Sequence, residues 1–360
     1  MSNLQLTYPE TELLASDATV EPLVAAGRRC HGGFDADGVY RSPRTRFRTP
    51  AIGAWQQHHC EQFGGELLSV PLETWPESYP NVAQAKFLVG SGVPGPVITT
   101  LTRIGIVEGF GAMIRYANVD DRQRFFDESI DGTALAHLDR GLFEAHARDE
   151  AGWGEEAGHN DMWFAARDVA FGAPPTADET QLMRERMGIP TISGAVDQAA
   201  MRERMLAARV FDDLDLGLEM LIHRMINILL IEISAFHIFS WAEAVLSDTD
   251  LVAGDGEAAR IVSYIRADET PHVEYLKTVL TEMRDRTFVG ESGKRYPGRL
   301  IVETLWERML GMSLGANRNQ NLRASAREVE FALADNPRRD ALLEEFHSLG
   351  IVRPDISVTD

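Results

Sequence analysis

The chain has 360 residues, 44% of them hydrophobic, enough for one large core or two modest ones. A formal net charge of −20 argues against a nucleic-acid binder, whose affinity needs a concentrated basic surface. With only Cys30 and Cys60, a disulfide scaffold is excluded and a cytoplasmic location is expected.

The first residues carry neither a basic n-region nor an apolar h-region, so no signal peptide is expected. Residues 1–95 read as an irregular N-terminal extension packing on the core. Gly and Pro recur there (Gly32-Gly33, Gly64-Gly65, Pro94-Gly95-Pro96), and no long helical period is sustained. The basic run Arg44-Thr45-Arg46-Phe47-Arg48 reads as solvated surface arginines, with an arm that meets an anionic substrate or carrier as the alternative. Helical texture begins near Val97. The stretch 98–117 is mostly apolar with one acid, Glu108, and 132–171 reads as a second long helix or a broken pair, weakened by Gly152 and Gly154. Residues 172–200 read as a connection with one short helix near 178–187. A third helix runs from 198 or 211 to 246, and a fourth over 256–286 with Pro271 inside it. Further helices are expected at 300–314, 325–334 and 339–349. The most apolar stretch, 222–245, holds His223, Arg224, Asn227, Glu232, His237 and Glu243, a polar load that a membrane span would avoid. The sum is an all-α fold: a four-helix bundle core over 96–290, decorated by the N-terminal extension and by C-terminal helices over 291–360 of the same domain.

The residues that carry chemistry are acids and histidines placed where helices should bury themselves. Glu108 and Glu232 are single carboxylates inside apolar runs, and a buried carboxylate costs several kcal/mol unless it is neutralised, paired or metal-bound. Two Glu-x-x-His pairs follow, Glu156/His159 and Glu269/His272. Residues three apart share a helix face, so each pair can offer an oxygen and a nitrogen to one metal. Each Glu is preceded by an acid, Glu155 and Asp268. Acid-Glu-x-x-His is expected by chance roughly 0.1 times in such a chain, and it occurs here twice. A metal-bound imidazole usually donates its other N–H to a carboxylate. In an antiparallel bundle Asp268 would orient His159, and Glu155 would orient His272.

This order of ligands (Glu108, Glu156/His159, Glu232, Glu269/His272) resembles the ferritin-like di-iron carboxylate superfamily, over about half of the chain. The resemblance implies two Fe ions (or Mn, or a mixed Fe/Mn pair) and O2 as co-substrate. It implies Glu156 and Glu269 as bridging ligands, with Glu108 and Glu232 as terminal ones. Glu144 and Glu150 are substitutes if Glu108 is not the first ligand; with His146 and Asp149 they otherwise read as supporting or surface groups, with extra ligands or a polar relay as the alternative. Many oxygenases of the superfamily carry a Thr one turn after the third-helix Glu. Ala235 and Phe236 stand at those positions here, which implies an apolar pocket wall with Phe236 and Phe239 near the open metal face. An additional histidine ligand occurs in the N-oxygenase branch, for which His223 and His237 are candidates. His223 otherwise pairs within its helix with Glu219, and His237 reads as structural.

Carboxylate and imidazole suit iron and manganese, and apolar helix faces would exclude water. The implied activity is a non-heme di-iron oxidase or oxygenase acting on a small organic substrate, free or carried by a protein. Its implied partners are an electron-donor reductase or ferredoxin and a second copy in a homodimer; no nucleic acid and no membrane are expected. A ferroxidase or manganese-catalase-like protein is the first alternative. A non-catalytic helical interaction protein, its buried acids paired with Arg and Lys, is the second.

Overall fold

The N-terminal extension is more ordered than its glycine and proline content predicts. In the computed structural model, which describes residues 4–69, 75–172, 175–187, 203 and 206–350, helix α1 (Glu10–Leu13) leads into a three-stranded antiparallel sheet. Its strands β1 (Glu21–Ala25), β2 (Arg28–Phe34) and β3 (Tyr40–Arg41) lie in that order. Ala26 and Gly27 join β1 to β2 with positive φ at both positions, the backbone hand that matches the twist of a two-residue hairpin. Helix α2 (Arg48–Phe63) follows where no helix was expected. Its buried face is Arg48, Ala51, Ile52, Trp55 and His59, a helical spacing in which two of the five positions are polar. A hydrophobicity pattern therefore does not show it.

Helix α3 (Val82–Gly90) is closed by a capping box between Asn81 and Gln84. The long helices then come close to their expected places: α4 (Gly95–Gly111), α5 (Phe143–Ala151), α6 (His159–Phe171), α7 (Ala177–Met187), α8 (Leu216–Leu246) and α9 (Glu257–Arg284). Helix α8 starts later than expected, where Asp215 accepts the Leu218 N–H as a cap; the earlier start at 198 lies outside the described residues. A two-stranded hairpin, β4 (Thr287–Val289) and β5 (Arg295–Pro297), precedes α10 (Gly298–Met312), α11 (Arg318–Leu333) and α12 (Arg339–Ser348). With 63% helix and 7% strand, the chain is mostly helical, in line with an all-α class.

Helix α8 packs on α9, α4 on α6, and α9 on α6, while α2 covers α9 and α11 covers α4. The interior of this group has two apolar halves. Leu221 to Ile233 of α8 and Tyr275 to Met283 of α9 belong to one; Ala235 to Leu246 of α8, Ala258 to Ile265 of α9 and Val97 to Ile104 of α4 belong to the other. Each fully buried Leu or Ile contributes about 1.5–3 kcal/mol, so two firm walls face each other. Between them lies a polar layer, to which α4, α6, α8 and α9 each send an ionisable side chain. Helix α8, and α4 with its following turn, are long and apolar enough to cross a membrane by length and composition, yet each carries a buried glutamate into that layer.

Candidate metal centre

Helix α4 brings Glu108 to the polar layer, α5 brings His146, Asp149 and Glu150, α6 brings His159, α8 brings Glu232, and α9 brings Asp268, Glu269 and His272. None of the nine is more than 8% exposed. Two four-residue ligand groups form there, Glu108/Glu150/His159/Glu269 and His146/Glu150/Glu232/His272, beside a smaller one, His31/His159/Asp268. Within each, the ligand atoms lie within 4.8 Å of one another, and Glu150 belongs to both four-residue groups. Glu269 also spans the two: Oε1 is 2.8 Å from His159 Nδ1, and Oε2 is 2.5 Å from His272 Nδ1. Glu150 Oε1 lies 3.4–3.6 Å from His146 Nε2, His159 Nδ1 and His272 Nδ1. The His146 and His272 rings stack with centroids 3.8 Å apart.

Five of the six residues singled out in the sequence meet here: Glu108, His159, Glu232, Glu269 and His272. Glu156 does not. Its side chain is 37% exposed and pairs with Arg29 at 3.1 Å. The expected helix stops at Ala151, and the chain leaves it for an excursion over 152–158. Trp153 and Glu156 close a tight turn there by exchanging backbone hydrogen bonds, and His159 opens the next helix. Three-residue spacing has no facial meaning across such a break. A Cβ on Gly158 would stand 2.2 Å from the Gly152 nitrogen and 2.7 Å from the Glu150 carbonyl oxygen, so glycine is what lets the chain re-enter beside its exit. Glu150, weighed only as a substitute, is the residue the two groups share, and Gly111 opposite leaves room for it: a Cβ there would fall 2.6 Å from Glu150 Cγ.

The groups behind the ligands differ from expectation in one half. Asp268 does face His159, at 3.5 Å from Nε2; it also accepts from the Tyr40 hydroxyl at 2.9 Å and meets His31 Nε2 at 3.2 Å. Glu155 is exposed and does not reach His272. Asp149 does, at 2.9 Å from Nε2. Arg44 and Arg48, expected on the surface, are buried and hold Asp149 at 2.5 and 2.8 Å; that half of the basic run is unavailable to any anionic partner, while Arg46 stays exposed. His223 pairs with Glu219 at 3.6 Å as expected, and neither His223 nor His237 joins the cluster. The extra imidazole is His146, whose Nδ1 meets the Tyr275 hydroxyl at 3.1 Å. Its signal lay in the sequence: His146 and Glu150 are four apart, on one helix face. Glu144 points away, to Arg148 and Arg115.

Among the described residues no Lys or Arg pairs with Glu108, Glu150, Glu232 or Glu269, so four buried carboxylates crowd without a permanent cation. Burial first, then the neighbouring carboxylates, push Glu108 and Glu232 well above the usual carboxylate range. Burial opposes ionisation of Glu150 and Glu269 too, but His159 and His272 outweigh it, taking Glu150 down to about 2 and Glu269 well below its usual range. Against the same burial, Glu269 raises His159 and His272 well above theirs. His146 falls to about 3, from burial and the His272 charge. Protons are thus held where two divalent cations would neutralise four carboxylates. The donor atoms agree. His146 Nε2, His159 Nδ1, both Glu150 oxygens and Glu269 Oε1 are buried without a hydrogen-bond partner, although they face one another at short range. Carboxylate and imidazole in this number fit Fe(II) or Mn(II).

A cavity of about 520 Å³ reaches this layer at Glu108, with Ile104, Val107, Ala235 and Phe239 in the adjoining wall. Phe239 stacks on Trp163, whose Nε1 donates to Glu108 Oε1 at 3.2 Å. Phe236, also expected on that wall, meets Phe239 edge to face and is not among the residues that line the cavity. No family model matches the chain, and no curated protein or solved structure matches it either.

Proposed function

We propose that the protein is a dimetal-carboxylate oxidase or oxygenase, with a ferritin-like helix arrangement, that uses O2 to oxidise a small organic substrate. One observation carries the reading: two four-residue donor groups share Glu150, are spanned by Glu269, and border a substrate-sized cavity at Glu108. Glu108, Glu150, His159 and Glu269 would hold one ion, and His146, Glu150, Glu232 and His272 the other. Two Fe ions are proposed, with Mn or a mixed pair as the variants. When bound, such ions supply one-electron redox chemistry toward O2.

The chain's own part is positional. Asp149 hydrogen-bonds the outer Nε2 of His272 and Asp268 faces that of His159 at 3.5 Å, an arrangement that would favour a proton there and turn each Nδ1 lone pair toward the layer. The Tyr275 hydroxyl does the same for His146 from its Nδ1 side, leaving Nε2 inward. Trp163 holds one oxygen of Glu108 and leaves the other free. The two apolar halves keep water from the layer. An outside electron donor, a reductase or ferredoxin, and a cytoplasmic location belong to the same proposal.

The cavity favours this reading over ferroxidase or manganese-catalase activity, which need no organic pocket. The lack, among the described residues, of an Arg or Lys on the four glutamates speaks against a purely structural role. The test is metal analysis after iron loading, then O2 uptake by the reduced, desalted protein compared with its peroxide disproportionation. Two metals per chain and O2 uptake support the proposal; fewer than one metal per chain overturns it, and peroxide disproportionation without O2 uptake transfers it to the catalase class.

A further inference from the structure

We propose that the cavity beside Glu108 takes an amphipathic organic carboxylate, held at its acid end by Arg103 and Arg318. This assigns a substrate class to the site above and rests on that reading for what becomes of the ligand.

Helix α4 turns Thr100, Arg103, Val107 and Phe110 toward the cavity, three and four residues apart, while Arg318 lines the same cavity from the start of α11. Acids outnumber bases 55 to 35 in this chain, and its other shielded arginines have an oxygen partner: Arg44 and Arg48 have Asp149, Arg122 has Asp139, Arg167 has Asp168, Arg284 has Asp285, and Arg286 has the Glu282 carbonyl. Arg103 and Arg318 have neither an ion pair nor a hydrogen bond among the described residues. Burial alone lowers the Arg103 pKa, with no carboxylate near enough to oppose it. Both side chains are half-buried in the cavity wall, and a guanidinium partly withdrawn from water with no counter-charge is costly unless something else supplies one. Its planar fork of N–H donors fits a carboxylate in two-point fashion.

The carboxylates lining the cavity are Glu77, exposed at its rim, and Glu108, and neither pairs with the two arginines. Five residues separate Arg103 from Glu108, about 7.5 Å along the helix axis at 1.5 Å per residue. Ile104 and Val107 lie between them on the helix, and Phe239 lines the same cavity. A ligand that uses both ends therefore needs an acid group, then an apolar body of several carbons, whose far end faces Glu108. The volume of about 520 Å³ accommodates such a molecule.

The test is calorimetric titration of the full-length protein, its metal content measured on the same sample, with 4-phenylbutyrate, its neutral amide and inorganic phosphate. The acid is expected to bind at least tenfold more tightly than the amide. Arg103→Gln should erase that preference while leaving amide affinity within about twofold. Arg318→Gln should reduce it, and serves as the second variant if Arg103→Gln fails to fold by circular dichroism. Equal binding of acid and amide, no binding of either, or an unchanged preference in both variants overturns the proposal. Phosphate binding without 4-phenylbutyrate binding overturns it as well. A metal-replete protein without the preference refutes this inference alone; a metal-free protein that shows it refutes the dimetal reading alone.

Discussion

His272 and Asp149 meet at 2.9 Å across two helices, and Asp149 is at the same time clamped by Arg44 and Arg48. One carboxylate thus ties a candidate metal ligand on α9 to the N-terminal extension, in the interior of the protein. Burial opposes its charge, but the two guanidiniums and His272 hold its pKa well below the usual range. Asp149→Asn would leave two buried arginines without their counter-charge. We expect a loss of about 3–5 kcal/mol in denaturant unfolding, and metal affinity lower by about 10–100-fold in competition with a chelator.

Glu150 and Glu156 separate the helical reading of the sequence from the folded arrangement. Glu156→Ala removes an exposed ion pair with Arg29, so stability should change by less than about 1 kcal/mol and metal content should stay the same. Glu150→Ala removes a group common to both donor sets and should lower the occupancy of both positions together. Metal loss in the first variant, with retention in the second, would reverse the assignment.

Tyr40 hydrogen-bonds Asp268 from β3, and stacks on Tyr264 with centroids 4.5 Å apart. Tyr40→Phe keeps the ring and removes the donor to a buried charged group. A destabilisation of about 1.5–3 kcal/mol is expected; an unchanged melting curve would mean that His31 and His159 satisfy Asp268 without it.

Glu282 lies away from the cluster and gives a cleaner pH signal. Its oxygens accept the N–H groups of Ala134 and Leu135 at 3.0 and 2.8 Å, and burial raises its pKa from 4.5 to about 7. An acid whose folded pKa is raised keeps its proton in the native state while the unfolded chain releases it, so stability from this group falls as pH rises from 4.5 through 7 and levels off above. Glu282→Gln should remove that dependence. The stability difference, variant minus wild type, should be more favourable at pH 8 than at pH 5 by on the order of 3 kcal/mol. An equal difference at both pH values would refute the assignment.

Gly111 faces Glu150 at the end of α4. Gly111→Ala places a methyl group 2.6 Å from Glu150 Cγ by construction, so Glu150 must shift. Weaker metal retention with near-native circular dichroism is the expected result.

Much of the candidate site was legible because burial makes charge conspicuous. Glu108 and Glu232 stand out as lone acids in apolar helices, and the Asp268-Glu269-x-x-His272 run keeps its helical spacing in α9. The second acid-Glu-x-x-His run misled, because a backbone excursion between Gly152 and Gly158 breaks the helix that the spacing presumes. The residue common to the two donor groups lies six positions earlier, at Glu150. Helix α2 was illegible for another reason: Arg48 and His59 occupy its buried face, and their partners Asp149 and Asp285 lie far away in sequence. Arg44 and Arg48 looked like solvated charges for the same cause, since only the folded chain brings Asp149 to them.

The sheet, the turn after it and α2 supply His31, Tyr40, Arg44 and Arg48 to the rear of the polar layer. The helices alone are therefore not a transplantable unit. A chimera that grafts α4 to α9 onto another scaffold, leaving the first sixty-odd residues behind, would carry the inner donors but strip Asp149 and Asp268 of their braces, and the ring of acids would have to re-solvate or collapse. Inheritance of the centre requires inheritance of its front-end segment, and changes in one should be accompanied by compensating changes in the other.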